Sequence, residues 1–176
     1  MKAESQLKQD IEEVILSEEH IAARVREIAA QITRDYAGKE FVMVGVLNGA
    51  AIFYINLIME LDIPLEMNFI RVSSYGAGTK SSGNVRMLYD LEADIAGKDV
   101  LIVEDIVDTG ESIEHMIKEL EARNPASVEV CTLFFKPGSY RKTLPIKYRA
   151  MEIGNEFIVG YGLDYDQLGR SLKDIY

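Results

Sequence analysis

The stretch Val100–Ser112, VLIVEDIVDTGES, drives an apolar run into Glu104, Asp105 and Asp108 and closes on Thr-Gly where a helical pattern begins. Its residue types supply two kinds of recognition. The backbone N–H groups of Thr109, Gly110, Glu111 and Ser112, with the Thr109 and Ser112 hydroxyls, can wrap a phosphate at a helix N-terminus, and Gly110 permits the close approach. Carboxylates repel a phosphate and need another task. Glu104 and Asp105 suit the two hydroxyls of a vicinal diol, or a Mg²⁺ ion, which takes hard oxygen donors. A phosphate beside a diol describes a ribose 5-phosphate. The spacing equally fits a plainer arrangement, in which Asp108 and Thr109 cap a helix, the two acids lie in solvent at a strand end and Gly110 serves the turn.

Other phosphate and metal chemistries lack their residues. VGVLNGA, at 44–50, contains no G-x-x-x-x-G-K-[ST], no G-x-G-x-x-G follows a strand, and the only histidines, His20 and His115, are not at ligand spacing. A P-loop kinase, a Rossmann dehydrogenase and a zinc hydrolase all lose ground. The single cysteine, Cys131, has no disulfide partner and reads as a small buried residue in VEVCTLFF.

These residues need a frame. Ser17 can cap a helix in which Ile21, Val25, Ile28, Ala29 and Ile32 recur at helical spacing before Gly38. FVMVGVL reads as a strand covered on both faces, and GAAIFYINLIMEL as a helix ending before Pro64. LEMNFIRVSSY and VRMLYDL are strand candidates flanking GAGTKSSGN, a loop composition. DVLIVED is a strand, ESIEHMIKELEAR sets Ile113, Met116, Ile117 and Leu120 on one stripe, and SVEVCTLFFK follows the Asn124-Pro125 break. Alternating buried strands and helices predict an α/β fold, a mainly parallel twisted sheet flanked by helices. The tail from Ile146 is broken by Gly154, Gly160 and Gly162 and reads as a small cap of irregular strands over the sheet edge.

With 176 residues the chain fits one domain, and it has no internal repeat or linker. We expect a single unit over 1–176, its hood formed largely by 147–176 with the N-terminal segment. The net charge of −10 opposes a partner gripped through a phosphate backbone, so no nucleic acid is expected. No apolar run is long enough for a membrane span and MKAESQLKQDIEE lacks the apolar centre of a secretory signal, so the expected place is the cytoplasm, away from membranes.

VLIVEDIVDTGES resembles the phosphoribosyl-pyrophosphate motif of the type I phosphoribosyltransferases, and its neighbours resemble the hypoxanthine-guanine branch. VGVLNGA, VSSYGAGTKSSGNVRML, TLFFKP and EFIVGYGLDYDQLGR carry the likeness, in family order, over most of the chain. It implies Mg²⁺-dependent transfer of a 5-phosphoribosyl group from phosphoribosyl pyrophosphate to a 6-oxopurine, giving IMP or GMP and pyrophosphate, and an assembly of two or four copies.

Carried over by position, the resemblance assigns the ribose hydroxyls to Glu104 and Asp105 and the 5-phosphate to Asp108, Thr109, Gly110, Glu111 and Ser112, with Asp108 also the general base. Lys136 is implied as donor to the purine 6-oxo group, Phe157 as the stacking ring, and Ile158 as the backbone that reads the purine edge. Asp164 is implied beside the purine as an acid on a second Mg²⁺, Arg170 at the pyrophosphate, and Ser74 and Tyr75 at the start of a lid that excludes water. Without the likeness, Lys136 would read as a solvated strand-end lysine, Phe157 as a core aromatic, and Asp164 and Arg170 as a surface pair.

The chain departs from the family pattern twice. Asn48 stands where a Lys or Arg commonly precedes the glycine of the pyrophosphate loop, leaving the backbone N–H groups of Asn48 and Gly49, often beside a cis peptide in this family, to donate. Gly154 and Asn155 stand where Pro-Asp is common. Two other functions share these motifs: a regulator that senses the sugar phosphate and binds nucleic acid, and a phosphoribosyltransferase for xanthine or a pyrimidine.

Overall fold

The computed structural model describes residues 11, 13–74 and 85–176. In chain order they form α1 (Glu18–Asp35), β1 (Phe41–Leu47), α2 (Ala51–Glu60), β2 (Glu66–Ser74), β3 (Val85–Tyr89), β4 (Asp99–Val107), α3 (Glu111–Glu121), β5 (Ser127–Phe135) and β6 (Tyr148–Glu152). Ser17 caps α1 as expected, its hydroxyl accepting from His20 N at 3.3 Å, and Glu18 and Glu19 favour the positive end of the helix dipole.

The sheet has the order β3-β2-β1-β4-β5-β6, with only the β2–β3 pairing antiparallel. Successive strand residues point to opposite faces, so each strand feeds two cores. On one face Met43, Leu101, Val103, Cys131 and Leu133 meet α1 and α2 through Ile21, Ile28, Phe53 and Leu57. On the other, Val42, Val44, Val100, Ile102 and Val130 meet Ile113, Met116 and Leu120 of α3. Each fully buried side chain of this kind contributes about 1.5–3 kcal/mol. Cys131 is fully buried, and burial pushes its thiol pKa up, as suits a packing residue.

Two boundaries differ from the sequence reading. β4 continues through Ile106 and Val107, paired with Phe134 and Phe135, so the acid pair stands within the strand instead of in solvent past its end. Tyr148–Glu152 joins the main sheet as its sixth strand, parallel to β5, and the irregular covering begins at Ile153. That covering is tied back to the N-terminal segment by a bridge between Leu16 and Ile175.

β1 is where the winding reverses. Its chain leaves through α2 to β2 on one side, while β4 lies on its other side and sends α3 to the opposite face. The chain leaving β1 and the chain leaving β4 therefore run to opposite faces, and the point between them is the usual ligand crevice of an open α/β sheet.

Candidate active site

β4 delivers the acid pair to that crevice. Glu104 is 8% exposed, and its Oε1 accepts from Asp105 N at 3.1 Å, while Asp105 Oδ1 accepts from Ile106 N at 2.7 Å. Burial pushes the Glu104 carboxyl well above the usual carboxylate range, and the charge of Asp105 beside it pushes the same way. Burial also raises Asp105, opposed by hydrogen bonds from Glu104 and Ile106 and by the Arg170 guanidinium. Two neighbouring acids with so little water improve their balance by gaining hydroxyl donors or a cation. The donor set fits Mg²⁺, which is held through one or two carboxylates plus ligand oxygens; among the described residues no cluster of three or more His, Cys, Asp or Glu forms an all-protein cage.

The loop after β1 closes on these acids. The Leu47–Asn48 peptide is cis, and Gly49 packs so tightly on Asp105 that a Cβ there would overlap the carboxylate. Behind it, a Cβ on Gly162 would overlap the Gly49 carbonyl oxygen. Arg170 binds this second glycine, Nη1 donating to Gly162 O at 2.8 Å, and its Nη2 pairs with Asp164 Oδ1 at 2.8 Å. Asn48, Gly49, Asp105, Arg170 and Asp164 are thus gathered from three distant segments.

The loop after β4 gives its helix little side-chain capping. Gly110 is the N-cap of α3, at φ 89°, and makes no side-chain cap. Thr109 Oγ1 reaches Glu111 N only at 3.5 Å, the long limit of a hydrogen bond, and the exposed Asp108 carboxylate faces Lys136 Nζ at 3.9 Å instead of the helix. The first N–H groups of α3, through Glu111 and Ser112, are thereby left for an anion, and the dipole favours one.

Across from this loop, Lys136 is 9% exposed and its Nζ donates to Glu156 O at 3.1 Å. Phe157 is 69% exposed, so it is not the core aromatic its local sequence suggests; its ring meets Tyr165 edge-on at 5.9 Å, and Ile158 beside it is buried. A buried lysine and an exposed ring at the mouth of a crevice can hold a flat, oxygen-bearing ligand. Ser74 ends β2 at the carboxyl end of the parallel strands, and the lid expected from Tyr75 onward lies outside the described residues. Sequence reasoning missed Ser139, whose Oγ donates to Asn155 Oδ1 at 2.7 Å, and Glu156, whose Oε1 accepts from Gly154 N at 3.2 Å. The Pro137-Gly138 turn after Lys136 was the available signal, since it returns the chain toward the tail.

The profile of the phosphoribosyl transferase domain matches residues 13–166. A hypoxanthine-guanine phosphoribosyltransferase of Mycobacterium tuberculosis is 45% identical over 172 residues, covering 94% of this chain and 85% of its own. One from Streptococcus thermophilus is 43% identical, covering 94% and 92%. The crystal structure of a hypoxanthine phosphoribosyltransferase from Staphylococcus aureus superposes with a TM-score of 0.92 at 42% identity, over 99% of this chain and 95% of that one.

Proposed function

The chain belongs to the phosphoribosyl transferase family, and from that premise we propose that it moves the 5-phosphoribosyl group of phosphoribosyl pyrophosphate to hypoxanthine or guanine. The products are IMP or GMP and pyrophosphate. The observation that carries this reading is the uncapped turn at Gly110 set directly after a buried acid pair, one feature for the phosphate and one for the ribose diol.

In the proposed arrangement, Glu104 and Asp105 hold the ribose hydroxyls, and the amides and hydroxyls of Thr109 to Ser112 hold the 5-phosphate. Asp108 takes a proton from the purine ring as another ring nitrogen attacks C1 of the sugar, and its place 3.9 Å from Lys136 Nζ supports the assignment. Lys136 donates to the 6-oxo group. Adenine carries a donor at that position, so the one N–H of the ammonium aimed there would meet a donor instead of an oxygen, at a cost of roughly 1–3 kcal/mol, which disfavours it. Phe157 stacks on the base and the backbone of Ile158 reads its edge. Arg170 and the amides of Asn48 and Gly49 receive the pyrophosphate, with no side-chain cation at Asn48. Glu104 and Asp105 would hold one Mg²⁺ and Asp164 a second, and such ions when bound supply positive charge to the leaving group.

We further propose a single folding unit that assembles as a homodimer or homotetramer, because Ile55 and Met59 on α2 and Met67 on β2 leave apolar surface exposed. No described helix is long and apolar enough to cross a membrane, in keeping with the proposed cytoplasmic setting. The test is direct: incubate the protein with Mg²⁺, phosphoribosyl pyrophosphate and hypoxanthine, guanine, xanthine or adenine separately, and measure nucleotide. IMP and GMP are expected with little AMP. Product from adenine alone, or from xanthine alone, would overturn the assignment of the base.

A further inference from the structure

The turn that presents its amides to the phosphate has little to hold it from within. Its side chains contribute only the 3.5 Å contact between Thr109 Oγ1 and Glu111 N, and Gly110 has no rotamer of its own to lock. The required shape is imposed by the connection between β5 and β6. Gly110 is buried, and a Cβ there would stand 2.5 Å from Tyr140 Cε2 and 2.8 Å from Lys142 Cγ. Between those two, Arg141 N donates to Thr109 O at 3.1 Å. The wall is itself fixed: Tyr140 N donates to Lys136 O at 3.1 Å, its hydroxyl donates to Leu144 O at 2.6 Å, and its ring meets Phe135 edge-on at 5.1 Å. Lys142 is anchored by Glu114 at 2.9 Å, whose own N–H donates to Gly110 O at 3.0 Å.

We propose that Tyr140 is a positioning residue for the 5-phosphate: its ring forms the back wall that keeps Thr109 and Gly110 turned so that the following amides face the ligand. The inference rests on the reaction proposed above, because that reaction puts a phosphate in this turn. Tyr140 does not touch the substrate. It closes the side of the loop on which Gly110 packs. A glycine at φ 89° can relax in many directions once an adjoining ring is withdrawn, and each relaxation scatters donors that act only when convergent.

The experiment compares ligands that do and do not use the turn. Calorimetric affinities for IMP and for pyrophosphate are measured on the unmodified chain and on Tyr140→Leu, Tyr140→Phe and Arg141→Ala, with Tm recorded for each. Tyr140→Leu keeps an apolar contact for Phe135 but removes the flat wall, so IMP affinity falls at least about tenfold while pyrophosphate affinity stays within about twofold. Tyr140→Phe keeps the ring and restores IMP affinity. Arg141→Ala keeps the backbone N–H that donates to Thr109 O and removes only exposed side-chain bonds to Gly138 O and Tyr140 O, so both affinities stay within about twofold. If Tyr140→Leu fails to fold, Tyr140→His, a smaller planar ring, is expected to lose IMP affinity selectively. Equal loss for both ligands, no loss for IMP, or a loss reproduced by Arg141→Ala would overturn the inference. An unmodified chain that binds IMP no better than inosine would instead overturn the reaction on which it rests.

Discussion

Asp108 is exposed, its carboxylate faces Lys136 Nζ at 3.9 Å, and no helix cap depends on it. Asp108→Asn is therefore expected to slow turnover about 100-fold or more with little change in Tm, because the substitution keeps the shape and removes the proton acceptor. Steady-state kcat equal to that of the unmodified chain would remove the proposed base. Gly49→Ala makes the opposite kind of demand. Its methyl group would need the space of the Asp105 carboxylate, so both stability and activity should suffer, the former by about 1–3 kcal/mol in a denaturant titration. The contrast marks what the sequence makes legible. Glu104, Asp105 and the Thr109–Ser112 turn lie in one short stretch, so their types suggest a phosphate and a diol together, although spacing alone leaves a plain helix cap equally good. The contact of Gly49 with Asp105, and of Gly162 with Gly49, joins segments whose proximity follows only from strand order, and a glycine carries no chemical label.

At the level of elements, the buried strands and amphipathic helices were plain because their apolar periods are strong, whereas β6 was hidden by its brevity and by the glycine-broken tail that follows. The missed connection between β5 and β6 has consequences at both ends of the crevice. Toward the base, Ser139 binds Asn155 in the segment that carries Glu156 and Phe157. This bond gives the Gly154-Asn155 turn an attachment that its sequence alone does not reveal. Ser139→Ala is expected to release that segment and raise KM for hypoxanthine a few-fold, since one exposed hydrogen bond contributes about 0.5–1.5 kcal/mol, with KM for phosphoribosyl pyrophosphate less affected. Steady-state kinetics with each substrate varied in turn would show the split; equal rises in both constants would argue for a general loosening.

For the molecule as a whole, three buried tyrosines set an alkaline limit. Tyr54 donates to Met43 O at 2.9 Å and burial pushes its hydroxyl up to about 12; burial raises Tyr36 and Tyr148 further, and Tyr148 also donates to Asp35 at 2.6 Å. A phenol whose folded pKa lies above its unfolded value near 10 contributes stability that is complete below about pH 10 and is lost as pH rises through the folded value. Tm should thus fall across pH 10 to about 12, with ionisation of these tyrosines coinciding with loss of near-ultraviolet circular dichroism. Full tyrosinate absorbance in a chain that keeps its native spectrum would contradict this. None of these pairings was readable from spacing, since each spans different elements. The nested stack of Gly162 on Gly49 and Gly49 on Asp105 has a longer reach. With no spare volume between the three, mutational drift at any one of them requires simultaneous concessions from the others. The crevice therefore occupies a corner of sequence space that single steps do not leave, and new specificities should arise through the rim that carries Phe157 while the floor stays as it is.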